Sequence, residues 1–213
     1  MEYLDGSPYE YRSFPFPMIS IGWLGRAHGL QNEGSEPLAA ADFDILKRLS
    51  ARPGSVTLGV HECELCPEGE EFEGNGEYRY YFDDGSVYSA PVMILHYVED
   101  HGYSPPRPFV DCLRRSTALR WDWRAERLVD LLLDESADFD FRCEAVIDLP
   151  KWRDSRVVSA VKAASLDEIL ADSAGDEIGR SLGILARSGL MELADLEGHS
   201  DFVRFGIREV LGG

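Results

Sequence analysis

The sequence predicts a chain of two parts: an α+β module of ββα-like build over residues 1–115, and an all-α unit of helical hairpins over residues 118–213. Three observations predict it. Cys63-Glu64-Leu65-Cys66 and His96-Tyr97-Val98-Glu99-Asp100-His101 read C-x2-C, twenty-nine residues, then H-x4-H. Strand signals occur only before Arg120, where β-rich aromatic runs alternate with turns. After Arg120, leucines and valines recur at helical spacing between capping residues.

Each element follows from local chemistry. Residues 1–20 carry Pro8, Pro15 and Pro17 among Tyr9, Tyr11, Phe14 and Phe16, which predicts an extended aromatic arm. Ile19–Leu24 is a short strand or buried turn, and Gly29–Pro37 a polar loop. Leu38–Leu49 is a helix with Lys47 and Arg48 at its C-terminal end, stopped by Pro53-Gly54. Val56–His61 alternates like a strand and leads into the cysteine turn. Gly76–Phe82, the Asp83-Asp84-Gly85 turn and Ser86–Tyr88 make a hairpin. Ser89 is the expected N-cap of a helix carrying Val92, Leu95, His96 and Val98, and Gly102 stops it. Ser104–Pro108 is a stiff connector before a short helix at Phe109–Leu113. Further helices are expected at Arg124–Leu133, Phe141–Leu149, Val157–Val161 (capped by Asp154), Ile178–Ala186 and Phe202–Leu211.

The Cys/His spacing is that of a metal site. Zn²⁺ takes four N/S ligands at tetrahedral corners, and a Cys-x2-Cys turn places two thiolates on one ion. His96 and His101, at a helix end that Gly102 loosens, supply the other two. Four protein ligands leave no position for water, so the site expected from Cys63, Cys66, His96 and His101 is structural zinc. His61 competes for a place, as a ligand instead of His96 or His101 or as a hydrogen-bonding neighbour of the metal.

Enzymatic zinc patterns are not met. A deaminase needs H-x-E with a separate P-C-x-x-C, whereas Pro67 follows the second cysteine. A metalloprotease needs H-E-x-x-H, whereas His61-Glu62 runs into Cys63-Glu64-Leu65. His28, in Gly25-Arg26-Ala27-His28-Gly29, reads as a loop residue and not as a general base. The expectation is a protein without catalytic activity.

Charge points to partners. The net charge is −18, from 39 acidic against 21 basic residues. Such a field opposes nucleic-acid binding, which needs Lys and Arg to displace counterions, and speeds encounter with basic proteins. No apolar run approaches the ~20 residues that span a bilayer. The first residues, Met1-Glu2-Tyr3-Leu4-Asp5, lack a signal-peptide pattern, so a cytoplasmic location is expected. Two cysteines at metal spacing and two standing alone, Cys112 and Cys143, agree with a reducing compartment.

Acid-rich stretches occur at Glu62–Glu77, Glu99–Asp100, Asp134–Asp140, Asp167–Glu177 and Glu192–Glu197, and the runs at Asp134–Asp138 and Asp167–Glu177 fall between helices or at their starts. Stacked helices would gather the later ones along one edge. The expected partner surface therefore takes charge from Asp134, Glu135, Asp138, Asp140, Asp167 and Glu168. Trp121, Trp123 and Trp152 are candidate aromatic anchors, against the plainer role of packing between helices.

Two stretches resemble known families. Ile21-Gly22-Trp23-Leu24, His61-Glu62-Cys63-Glu64-Leu65-Cys66 and His96-Tyr97 through His101-Gly102-Tyr103-Ser104-Pro105-Pro106 resemble an uncharacterised bacterial family. It pairs HxCxxC with H-Y-x-x-x-H-x-Y-x-P-P, over about residues 19–110. Asp154–Val161 and Asp176–Gly183 are similar to helices of HEAT-like repeats. That resemblance implies a binding scaffold, as in some bacterial immunity proteins that plug toxins. The reading is an acidic immunity-type protein that neutralises a basic toxin domain such as a nuclease. The alternative is a zinc-containing adaptor or regulator of a larger complex, and a zinc-dependent hydrolase comes third.

Overall fold

The computed structural model describes residues 2–12, 14–30, 36–56, 59–67, 69 and 71–212. The chain folds as two units, Met1–Thr117 and Ala118–Gly213. The first mixes small sheets with helices and the second is helical among the described residues.

The first unit is centred on a three-stranded sheet of β1 (Ile19–Ser20), β4 (Glu77–Tyr81) and β5 (Val87–Pro91), in the order β1-β5-β4. The hairpin forms where its turn chemistry places it. Gly85 takes φ +91°, open only to glycine without strain, and the Ser86 N–H and hydroxyl both donate to the Asp84 carboxylate.

The return strand runs further than expected. Ser89-Ala90-Pro91, predicted as a helix start, is strand: Ser89 pairs with Ser20 on one side and Arg79 on the other. Pairing on both edges of β5 outweighs a local capping signal. Pro91, at the strand end, gives up no internal ladder bond.

Helix α1 (Ala40–Leu49), α2 (Ile94–His101) and α3 (Arg107–Arg115) complete this unit. Phe109 of α3 keys into Tyr80, Tyr88 and Phe82, with ring centroids 5.2, 5.1 and 5.8 Å away at tilted edge-on angles. Ile21, Leu46, Ile94, Tyr103 and Leu113 fill the rest of this core. The N-terminal arm is non-helical as expected, but it turns at Asp5-Gly6 and folds back so that Pro8 bridges Ile19, and Tyr9 closes a buried polar network. Its hydroxyl and that of Ser89 donate to Glu77, which also pairs with Arg79. Burial raises the Tyr9 phenol well above its usual value, and the Glu77 charge adds to this.

A second, two-stranded ribbon pairs β2 (His61–Glu62) antiparallel with β3 (Glu73–Gly74). The ββα-like arrangement uses this ribbon with α2, whereas the β4–β5 hairpin belongs to the central sheet. Residues 31–35 of the expected loop, 57 and 58 of the expected strand at Val56–His61, and 68 and 70 of the acidic run lie outside the described residues.

The second unit contains α4 (Trp123–Leu133), α5 (Phe139–Asp148), α6 (Ser155–Ala164), α7 (Glu168–Ser173), α8 (Gly175–Arg187) and α9 (Asp201–Leu211). Four of these helices start at an aspartate whose carboxylate accepts from first-turn N–H groups: Asp122, Asp138, Asp154 and Asp167. Helices α4 and α5, joined by residues 134–138, pack as a hairpin.

The hairpin pattern expected from HEAT-like repeats does not continue to α8 and α9. A Cβ on Gly175 would meet Phe202, one on Gly179 would meet Val203 and Ile207, and one on Gly183 would meet Ile207 and Val210. Residue numbers rise together along both helices, so the two run parallel. Glycines let their backbones approach far closer than ordinary helices do.

Arg142 ties two loops together in this unit. Its Nε donates to the Leu132 carbonyl at 3.0 Å, and its Nη2 reaches Asp167 Oδ2 at 2.6 Å. The guanidinium holds the Asp167 carboxyl below the usual carboxylate range. A depressed folded value means stabilisation that is complete above the unfolded value, near about 4, and lost as pH falls through the lower folded value. Asp167→Asn keeps a capping side chain but loses the charge. The variant is expected to melt below the parent at neutral pH, the gap closing at a pH below the usual carboxylate range. An unchanged gap at that pH, in melting curves across the range, would assign the loss to something other than charge.

Candidate metal centre

The knuckle between β2 and β3 is positioned before any metal is considered. The Cys63 N–H donates to the Phe72 carbonyl at 2.8 Å, closing the ribbon around residues 63–72. Glu64, inside the knuckle, accepts from the Arg26 N–H at 2.8 Å. Glu2 accepts from the N–H groups of Ala27 and His28 and from His28 Nδ1. His28 is thereby a loop residue clasped by a carboxylate, as the sequence suggests.

Helix α2 brings the histidines. His96 lies in its first turn and His101 is its last residue. Gly102 follows at φ +67°, its N–H returning to the Tyr97 carbonyl. The two imidazoles meet edge to face, centroids 4.8 Å apart at 90°. Phe72 stacks on His96 at 3.9 Å and 6°, fixing the ring plane from the ribbon side.

Four potential ligand atoms converge. Cys63 Sγ lies 3.2 Å from His101 Nε2, Cys66 Sγ lies 3.3 Å from His96 Nε2 and 3.5 Å from His101 Nε2, and the two Nε2 atoms are 3.1 Å apart. All four ligand atoms fall within 4.8 Å of one another. Bonds of about 2.3 Å to sulfur and about 2.0–2.1 Å to nitrogen give tetrahedron edges of roughly 3.3–3.8 Å. The cluster is thus sized for one metal ion, and Cys63, Cys66, His96 and His101 lie close enough to hold it.

Protonation favours ligation. His96 Nδ1 is 2.6 Å from Asp100 Oδ2, one helical turn on. A carboxylate there accepts a hydrogen bond from Nδ1–H and leaves the Nε2 lone pair facing the sulfurs. Burial, and secondarily His96, lower the His101 value, favouring its neutral form. Both cysteines are free thiols in this structure. Asp100 and Phe72 escaped the sequence reading. Asp100 was legible as the i+4 neighbour of His96, but Phe72 reaches it only through the ribbon fold.

His61 is not brought to the cluster. It is exposed on β2, and the grouped ligand atoms come from the other four residues. Cys63, just past the end of β2, is buried, whereas His61 stays exposed on the strand.

The proposed partner residues divide. Asp134, Asp138 and Asp167 serve local turns and caps, and all but Asp167 are exposed. Glu135, Asp140 and Glu168 are exposed as well. Trp152 is wholly buried, which excludes it as an anchor and makes it a packing residue. Trp121 is half-buried beneath Arg156, while Trp123 is 51% exposed.

No helix among the described residues is long and apolar enough to cross a membrane. No curated protein and no solved structure matches the chain. Residues 1–114 match the family described as Domain of unknown function (DUF7919), a span that takes in the knuckle, α2 and all four ligands. That span is more than half of the 213 residues, and the chain belongs to this family.

Proposed function

We propose that this chain is a protein-binding scaffold, built on a structural zinc, that captures a basic protein domain. Two thiolates and two imidazoles in a tetrahedral cluster are the donor set of zinc. With four protein ligands the ion keeps no site for water or substrate, which argues against hydrolysis.

The observation that carries the binding role is the Arg142 tie. It pins the end of α4 and the start of α7 to one guanidinium, which draws the acidic segments Asp134–Asp140 and Asp167–Glu168 towards one edge. Apolar side chains stand among these acids: Leu166 is 81% exposed, Ile169 67%, Leu133 46% and Phe139 36%. Charge for steering beside apolar surface for burial is the composition of a site for a basic protein. The reading is a cytoplasmic immunity-type protein of bacteria that covers the positive active site of a toxin such as a nuclease.

Growth rescue tests it. Where a toxin domain is encoded beside this chain, its expression is expected to kill cells, and co-expression of this chain to restore growth. The combined Glu135→Lys, Asp140→Lys and Glu168→Lys variant is expected to fold, with a lower melting point because Asp140 and Glu168 stand in the first turns of α5 and α7, and to lose protection. Killing that proceeds regardless of this chain removes the reading.

A further inference from the structure

The tryptophans at the start of the second unit keep company with arginines, not with the acidic edge. Leu119 and Trp152 form a parallel bridge, which lays residues 120 and 121 beside 153 and 154. The Arg156 guanidinium stacks 3.8 Å above the Trp121 ring, and the indole Nε1 donates to Glu126 at 3.1 Å. Trp123 projects from the first turn of α4, and Arg127 follows it one turn later, on the same side of the helix.

The acids nearest the two indoles are already engaged. Asp154 caps α6 and pairs with Arg156, Glu126 holds Trp121, and Asp122 caps α4 and pairs with the buried Arg124. Arg120, Arg127 and Arg153 are exposed, and among the described residues no carboxylate pairs with them. In a chain of net charge −18, three unpaired arginines around two accessible indoles are a local reversal of sign. Trp and Arg are also the side chains that concentrate binding energy at protein interfaces.

We propose that Arg120, Trp121, Trp123, Arg127, Arg153 and Arg156 form a second docking surface, which takes a short acidic segment of a partner protein. Carboxylates of that segment pair with the arginines, and an apolar side chain covers Trp123 beside the preorganised Arg156–Trp121 stack. Charge selects this occupant over a nucleic acid. A long polyphosphate would run past Asp130, Asp134 and Glu135 at the far end of α4 and meet the repulsion of the whole chain. This surface is separate from the basic-partner reading, and together the two would make the chain an adaptor between partners of opposite charge.

The probe is a short fluorescein-labelled peptide of alternating Glu and Leu, read by anisotropy at low salt, with a thymidine oligomer of equal length in parallel. The peptide is expected to bind, more weakly as salt rises. Arg120→Glu with Arg153→Glu should weaken it about tenfold or more. Trp123→Ser, a change at a half-exposed ring, should also weaken it in protein that keeps the parent's circular-dichroism spectrum, so a loss does not rest on the charge reversal alone. The Glu135/Asp140/Glu168 lysine variant should bind the peptide at least as well as the parent, separating this surface from the acidic edge. Absence of peptide binding, equal binding by the Arg120/Arg153 variant, or tighter binding of the oligomer would overturn the proposal.

Discussion

Cys63→Ser is expected to unfold the ribbon and loosen α2, and to release the metal from protein purified without chelator. The reason is the size of the free energy involved. A structural zinc site contributes an apparent ~10–16 kcal/mol in small modules. An entire domain is stable by only about 5–15 kcal/mol. The ribbon has two residues per strand, so a metal held by these four residues would substitute for a core it does not have. Cys63 is itself buried against the main core of this unit, so the damage passes to Met93 and Tyr97 on the helix side. Metal content and thermal unfolding measured together check this. Less than about half an equivalent of zinc in the parent, with no change in melting for Cys63→Ser, would sink the zinc assignment. Asp100→Asn offers a graded version: it weakens the acceptor at His96 Nδ1 and should lower metal affinity about 10- to 100-fold while leaving all four ligands.

Gly206→Ala is expected to destabilise the second unit by about 3 kcal/mol or more, although alanine is the better helix former. A Cβ on Gly206 would lie 1.9 Å from the Asp176 carbonyl oxygen and 2.8 Å from the Arg180 nitrogen. Those are backbone atoms of α8, which cannot rotate away as a side chain does. The helices must separate, exposing Val203 and Ile207, both buried against this interface. Gly183→Ala is the graded comparison. Its Cβ would lie 2.9 Å from Val210 Cβ, 3.2 Å from Val210 Cγ1 and 3.4 Å from the Ile207 carbonyl oxygen, so α9 must shift, but by less than at Gly206. It should destabilise less than Gly206→Ala, helped by the roughly 0.5–1 kcal/mol gained on replacing a helical glycine. Urea unfolding of the two variants decides: equal stability of Gly206→Ala and the parent would mean that α8 and α9 are not packed backbone to backbone.

Much of the local structure follows from short-range chemistry. Asp154 caps its helix through the Arg156 N–H, and leucine spacing places α4 and α5 close to their observed spans. The Asp83-Asp84-Gly85 turn forms as its residue types require. Where the reading failed, a distant partner outweighed a local signal. Ser89 has the chemistry of a cap, but its strand is the central one, bonded on both edges. Asp42 of α1 drew no reading from its neighbours in sequence, yet it is buried and bonded by the Arg114 guanidinium from α3 through Nε and Nη2. The glycines at 175, 179 and 183 show their spacing openly, but nothing nearby announces Gly206 as their counterpart.

The metal centre and the partner surfaces divide along the same line. Cys63, Cys66, His96 and His101 were identifiable from spacing alone, because metal chemistry restricts donor type and number so tightly that few patterns satisfy it. The exclusion of His61, the Asp100 and Phe72 supports and the burial of Trp152 depend on which strand and helix faces meet. Side-chain direction alternates in strands and rotates in helices, so composition cannot supply it. The overall negative charge was likewise plain in the sequence. Its interruption by arginines around Trp121 and Trp123 was decided by the tertiary structure, because pairing between charges depends on distance in space and not on order along the chain.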